Sequence, residues 1–385
     1  MTKKLTAAVL ALSLLALSGC SGGSVYSNYR EIEQLVVVQT MGFDAAGDGV
    51  DLSISSGNSG GSGGSGEKGS QRQTTLRMSA EAGSLTVARE TIQDYSPGEQ
   101  LFFGHVSYVV LGRSSLDAGV EKYFDYLERD SSFRLDTPVF AVTDSDASEV
   151  VLGTGSSDYD ATNALRSIER NLELRGDCYI FSAAQIVADM DANGAALICA
   201  VRCADAKESD YEAEEGERTA LPDGYIIIYE GKAAGHIPFE MARGVNVIKN
   251  ETGPLSVELD GATVQLDKCE CSVKPVFGGG RLEGLKISVK ADASLAELRG
   301  SSDTAGLNAA LEQEIKGWVS YVIDKSVSTG CDFLQLGSSL EMQEPRSLRG
   351  MTEDFASVMP YIYYNISVQA EISRSFDLDI PEGGQ

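Results

Sequence analysis

The apolar run from Leu5 to Leu17 sets the strongest limit on how this chain can fold. It has the length of a signal-peptide core and falls short of the roughly 20 apolar residues a spanning helix needs. Lys3 and Lys4 flank it with positive charge, and it closes on Leu17-Ser18-Gly19-Cys20. No later stretch of eighteen apolar residues occurs. The remainder is therefore expected to fold outside the hydrocarbon layer, held at a membrane surface without spanning it.

Small residues at 18 and 19 leave the backbone open to a peptidase, and a cysteine directly after them resembles the lipobox of bacterial lipoproteins. On that reading residues 1–19 are a signal peptide and the Cys20 thiol carries diacylglycerol. Ser-Gly-Gly-Ser follows within a tether, residues 20–28, that lifts the folded part off the bilayer. Charge makes such an anchor necessary. With 31 Lys+Arg against 57 Asp+Glu the net charge is −26, which repels phosphate backbones and argues against both nucleic-acid binding and adsorption of the whole molecule to anionic lipid.

At 385 residues the chain has room for two or three domains. Val-rich Gln34 to Phe43 and the alternating runs Val50 to Ser55 and Thr74 to Ala80 read as strands. The Gly/Ser stretch between the last two cannot bury apolar surface and reads as a flexible loop, 56–71. Ser84 caps a helix ended by Pro97-Gly98, Val106 to Leu111 is a buried strand, a second helix is expected from Leu116 to Arg129, and Val139 to Val142 is a strand again. This order implies a sheet covered by helices. Helices are expected over Asp158 to Leu174 and Ile180 to Met190, and a strand over Ala195 to Val201.

An acidic stretch from Asp205 to Glu217 reads as a solvated connection. Tyr225 to Tyr229 and Lys232 to Ile237 form a hairpin, with a short helix from Phe239. Strands follow at Leu255 to Leu259, Thr263 to Val276 and Arg281 to Ala291, then a helix from Thr304 to Thr329 stopped by Gly330, and a last strand from Tyr361 to Ile372. The expected divisions are an N-terminal α+β domain at 29–203, an acidic connection with a small middle domain at 204–252, and a C-terminal α+β domain at 253–376.

Seven cysteines stand at 20, 178, 199, 203, 269, 271 and 331. Six remain once Cys20 is committed to lipid, and buried thiols or disulfides are expected of them without a fixed connectivity. Neither Cys269-x-Cys271 nor Cys199-x3-Cys203 has the partners of a structural zinc site, so no metal is expected. Only His105 and His236 are present, and each reads as a packed or hydrogen-bonded side chain. Walker A, Gly-x-Gly-x-x-Gly and His-Glu-x-x-His patterns are missing, and Gly278 to Gly280 is a turn. Arg129, Asp130 and Arg134 follow a helix end and are expected to form a buried ion pair that fixes the next strand. No enzyme activity is expected.

Several segments read together resemble the Ger(x)C family, the lipoprotein C subunits of GerA-type spore-germination receptors. They are Arg30-Glu31-Ile32-Glu33-Gln34-Leu35 with Gly42-Phe43-Asp44, then Phe103-Gly104-His105, Tyr126-Leu127-Glu128-Arg129-Asp130 with Arg134, the Gly231 and Gly235 hairpin, and Gly330-Cys331-Asp332-Phe333. Departures fall at loops and ends: Ser21 to Tyr29 intervene before the first motif, the Gly/Ser loop is long, and the last strand runs into Ser375-Phe376-Asp377. The resemblance implies an α+β lipoprotein of three small domains, each a mixed sheet packed with helices. It implies a place on the outer face of the spore inner membrane beside polytopic A and B receptor subunits, a role in nutrient-triggered germination, no catalytic site and no cofactor beyond the diacylglycerol. Arg129, Asp130, Arg134 and His105 are then structural or partner-contact candidates. The rival is a substrate-binding lipoprotein of a transporter, which two hinged α/β lobes would favour.

Overall fold

A computed structural model describes residues 35–56, 75–96, 100–153, 159–208, 217–299 and 304–373. The expected signal peptide, Cys20 and its tether, Arg30 to Gln34, most of the Gly/Ser loop and the acids at 209–216 lie outside these residues.

The first elements are β1 (Leu35–Val37), β2 (Thr40–Ala46), β3 (Gly49–Ser55), β4 (Arg77–Ala82), α1 (Leu85–Asp94), β5 (Gln100–Phe102) and β6 (Tyr108–Leu111). The expected single strand from Gln34 to Phe43 is two, because the backbone changes partners midway. Val38 donates its N–H to the Phe102 carbonyl at 2.9 Å, whereas Gln39 donates to Ser55 at 2.9 Å. β1 thus forms a small parallel sheet with β5, and β2 enters the main sheet.

Next come α2 (Arg113–Ala118), α3 (Glu121–Arg129), β7 (Val139–Val142), α4 (Ala147–Leu152), α5 (Ala161–Arg175), α6 (Ala183–Asn193), β8 (Ala195–Asp205), β9 (Arg218–Tyr229), β10 (Lys232–Ile237) and α7 (Phe239–Lys249). The main sheet has eight strands in the order β10-β9-β8-β7-β6-β2-β3-β4. Its centre, β2, β6, β7 and β8, is parallel. Every residue of β6 and β7 is buried, which is why these strands read as unbroken apolar runs rather than alternating ones.

Two expectations change here. The helix expected from Leu116 to Arg129 is two helices, broken at Gly119 with φ 126°; the Val120 N–H leaves the helical ladder and donates to the Gly231 carbonyl at 2.8 Å, so the β9–β10 turn is seated in the break. The boundary expected at 203/204 falls inside β8, and residues 204–252 make no sheet of their own. β8 is buried almost throughout and needs a strand on its open edge; β9 pairs with it from Ala195 to Asp205.

The remaining elements are β11 (Leu255–Leu259), β12 (Ala262–Gly278), β13 (Arg281–Leu298), α8 (Thr304–Thr329), α9 (Leu336–Gln343), α10 (Met351–Val358) and β14 (Tyr363–Ser373). They form a four-stranded sheet, β11-β12-β13-β14, with β14 parallel to β13. One face carries buried Leu285, Ile287, Val289 and Ala291, and α8 is tied along β14 by Glu312 and Asn308, which accept from the Ala370 and Ile372 N–H groups at 3.1 and 3.0 Å. The two sheets share a single connected apolar core. No helix among the described residues is long and apolar enough to cross a membrane.

Candidate functional site

The three charges expected to pair with one another do not. Arg129 turns outward to Asp125, one helical turn back, at 2.7 Å, with four-fifths of its side chain exposed. Arg134 pairs with Asp136 at 2.6 Å, also in solvent. Asp130 instead meets Arg89 of α1. The reason is local: Asp130 ends α3 in an extended conformation, so its carboxylate folds over the next turn and accepts from the Ser132 N–H at 2.9 Å and hydroxyl at 2.6 Å. Burial pushes the Asp130 carboxyl upward, but the Ser132 bonds and the Arg89 guanidinium outweigh it and hold the group below its ordinary range.

Arg89 is the residue the sequence reading missed. Its guanidinium lies 4.1 Å from the Phe103 ring centroid and 5.8 Å from that of Phe133, and Tyr126 stands 5.5 Å from Phe133. The available signal was an arginine directly beside the buried stripe Leu85, Ala88 and Ile92. A cavity of about 350 Å³ opens here, lined by Arg89, Gln93, Gln100, Phe103, Tyr126 and Asp130.

His105, two residues beyond Phe103, is exposed rather than packed, with its ring edge-on to Phe102 at 5.5 Å. It shares with Arg134 a groove of about 310 Å³ that Tyr108, Thr137 and Glu169 also line. The Tyr108 hydroxyl donates to Glu169 at 2.5 Å. The N-terminal motif residues thus gather at the end of the sheet where β1 enters.

Gly42-Phe43-Asp44 has a separate task. Asp44 is only 3% exposed and accepts from the Ala147 and Ser148 N–H groups at 2.8 and 2.9 Å, closing the first turn of α4. Burial pushes its carboxyl up to about 6, with those two N–H bonds pulling the other way. Gly112 is required beside it, since a Cβ there would fall on the Asp44 carboxylate. Phe43 stacks on Tyr123 at 5.4 Å.

Gly330-Cys331-Asp332-Phe333 forms the joint between the sheets. Gly330 leaves α8 with φ 69°, and buried Asp332 accepts from the Leu336 and Gly337 N–H groups at 3.0 and 2.7 Å. Burial lifts this carboxyl to about 6 against those bonds. Asn193 donates to the Asp332 carbonyl at 3.0 Å, and Gln335 donates to the Ala195 carbonyl at 2.8 Å, which clasps the α6–β8 turn. A second tie joins Asp177, 2% exposed, to Arg175 at 2.8 Å and Arg243 at 3.2 Å. Arg243 in turn lies 5.3 Å from the Trp318 ring centroid.

Among the described residues no group of three or more His, Cys, Asp or Glu is placed to hold a metal, and the six cysteines are free thiols. Asp44, Asp130 and Asp332 each hold backbone N–H groups or an arginine.

Fold and site define an α+β scaffold whose motif residues close helices and clasp its parts together. The sequence matches the spore germination protein N-terminal domain over residues 28–202 and the spore germination B3/GerAC-like C-terminal domain over residues 223–376. The chain belongs to the Ger(x)C family of spore-germination proteins. In fold it is similar to the crystal structure of the GerBC protein, with a TM-score of 0.52 at 16% identity, over 86% of this chain and 96% of that one. No curated protein matches the sequence.

Proposed function

We propose that this protein is the lipid-anchored, non-enzymatic C subunit of a nutrient germinant receptor, acting by assembly with membrane-embedded A and B subunits on the outer face of the spore inner membrane. The observation that carries the reading is the pair of family matches, which follow one another in order and cover both sheets. The tasks of Asp44, Asp130 and Asp332 support a scaffold: each carboxylate secures a turn, a helix start or an arginine. Cys20 is the anchoring atom in this reading, and thioether-linked diacylglycerol supplies the two chains that stable attachment needs. The exposed groove around His105 and Arg134 is the partner-contact candidate.

The test is a pull-down of the tagged protein from detergent-solubilised spore inner membranes, with Cys20→Ala alongside and the captured chains identified by mass spectrometry. Recovery of germination-receptor membrane subunits, reduced by the substitution, is the expected result. Recovery of transporter components alone, or absence of the protein from spores, overturns the reading.

A further inference from the structure

The distal part of the long β12–β13 hairpin carries a charge opposite to that of the rest of the molecule. Between Lys268 and Lys290 stand five basic and two acidic residues, a local balance of +3 in a chain of −26. β11 covers only Ala262 to Leu266 of β12, so the distal part runs on past it. Register sorts the side chains by face. Cys271, Val273 and Pro275 share the α8 face with Val289, Ile287 and Leu285; Ser272 and Lys274 share the other with Ser288 and Lys286.

On that outer face Lys274 lies directly opposite Lys286, with Asn365 of β14 next in the same rung. Like charges in directly opposed positions destabilise a strand pair. Lys268 is ion-paired to Glu270, but neither Lys274 nor Lys286 has an acidic partner among the described residues. The adjoining rung is Ser272, Ser288 and Ser367, small and neutral, so no charge on that rung masks the two ammonium groups. At the tip side the Tyr363 ring lies over Gly284. Tyr363 is 50% exposed and shares the lysine face, since it pairs with Gly284 two positions before Lys286. An exposed aromatic ring beside unpaired lysines matches a membrane–water interface, where rings sit at headgroup depth and lysines meet phosphate.

We propose that this lysine and tyrosine face of the β12–β13–β14 sheet rests on the anionic headgroups of the membrane and orients the anchored molecule there. The inference rests on the lipid-anchored reading above. The whole chain is repelled by anionic lipid, so this face can turn the protein without being able to replace its acyl chains.

Trp318 is the only tryptophan and is 2% exposed, so Tyr363→Trp adds a reporter at the face. The full lipidated protein is mixed with excess phosphatidylglycerol or phosphatidylcholine vesicles, with and without brominated acyl chains, and the emission of the unsubstituted protein is subtracted. The expected result is a blue shift and at least twofold bromine quenching with phosphatidylglycerol only, both abolished by Lys274→Glu with Lys286→Glu in a protein that melts normally. Emission that stays water-like on phosphatidylglycerol, or that shifts only when receptor membrane subunits are added, overturns the proposal, the latter making the face a protein-docking surface. Vesicle flotation of wild type against Cys20→Ala reads the anchor separately, so failure of the anchor and failure of the face give different results.

Discussion

Arg89 and Arg129 show how little an arginine's position in sequence says about its worth. Arg89 is held between Phe103 and Phe133 and paired to Asp130; Arg129 and Arg134 pair in solvent. Arg89→Ala should lower stability by about 1–2 kcal/mol through lost cation–π and ion-pair contacts. Arg129→Ala and Arg134→Ala should leave the urea midpoint unchanged, and a loss at either equal to that at Arg89 would contradict the assignment. Asp332 gives a pH signature. Its folded-state carboxyl titrates near 6 against an ordinary 3.8, so between those values the folded protein binds more protons than the unfolded chain, and this residue's contribution falls as pH rises. Asp332→Asn removes the titration. Its stability deficit should therefore shrink between about pH 4 and pH 7, by an amount on the order of 3 kcal/mol. Urea midpoints at the two pH values decide this, and a deficit that grows with pH refutes it.

Most elements were legible because their signals are local. Leu85, Ala88 and Ile92 mark α1, Val139 to Val142 marks β7, and the glycines at 278–280 mark the β12–β13 turn. The failures share a physical cause: contacts between residues far apart in sequence. The break at Gly119 depends on a carbonyl at Gly231, and the end of β1 on Phe102. α9 and α10 have eight residues each, too short to show a helical period, and both start after a residue of positive φ, Gln335 and Gly350. At the candidate site the motif residues were visible but their partners were not, since Arg89 stands 41 positions from Asp130. One helix contact is equally invisible in sequence. A Cβ on Gly244 of α7 would fall on the backbone carbonyl of Trp318 in α8, so the two helices meet backbone to side-chain-free backbone. Gly244→Ala should cost about 1–3 kcal/mol by forcing them apart. Calorimetry is expected to give one transition for the parent and two for the variant; a single, unshifted transition in the variant would show that the contact does not couple the sheets.

For the molecule as a whole, −26 charges on 385 residues mean self-repulsion in the compact state. Salt should therefore stabilise this protein. The melting temperature should climb by a few degrees between about 10 mM and about 0.5 M sodium chloride, as the screening length falls from roughly 30 Å to a few ångströms. A fall would mean that ion pairs such as Arg243 with Asp177 outweigh the general repulsion. The placement of β9 and β10 has a consequence for descent. The family's two matched regions part between residues 202 and 223, yet most of β9 and all of β10, which finish the eight-stranded sheet, belong to the second region. A gene carrying only the first would encode β8 as a bare, apolar border strand, a template for misassembly. Recombination at that seam is thus penalised by folding itself, and the two regions should travel through lineages as one heritable piece.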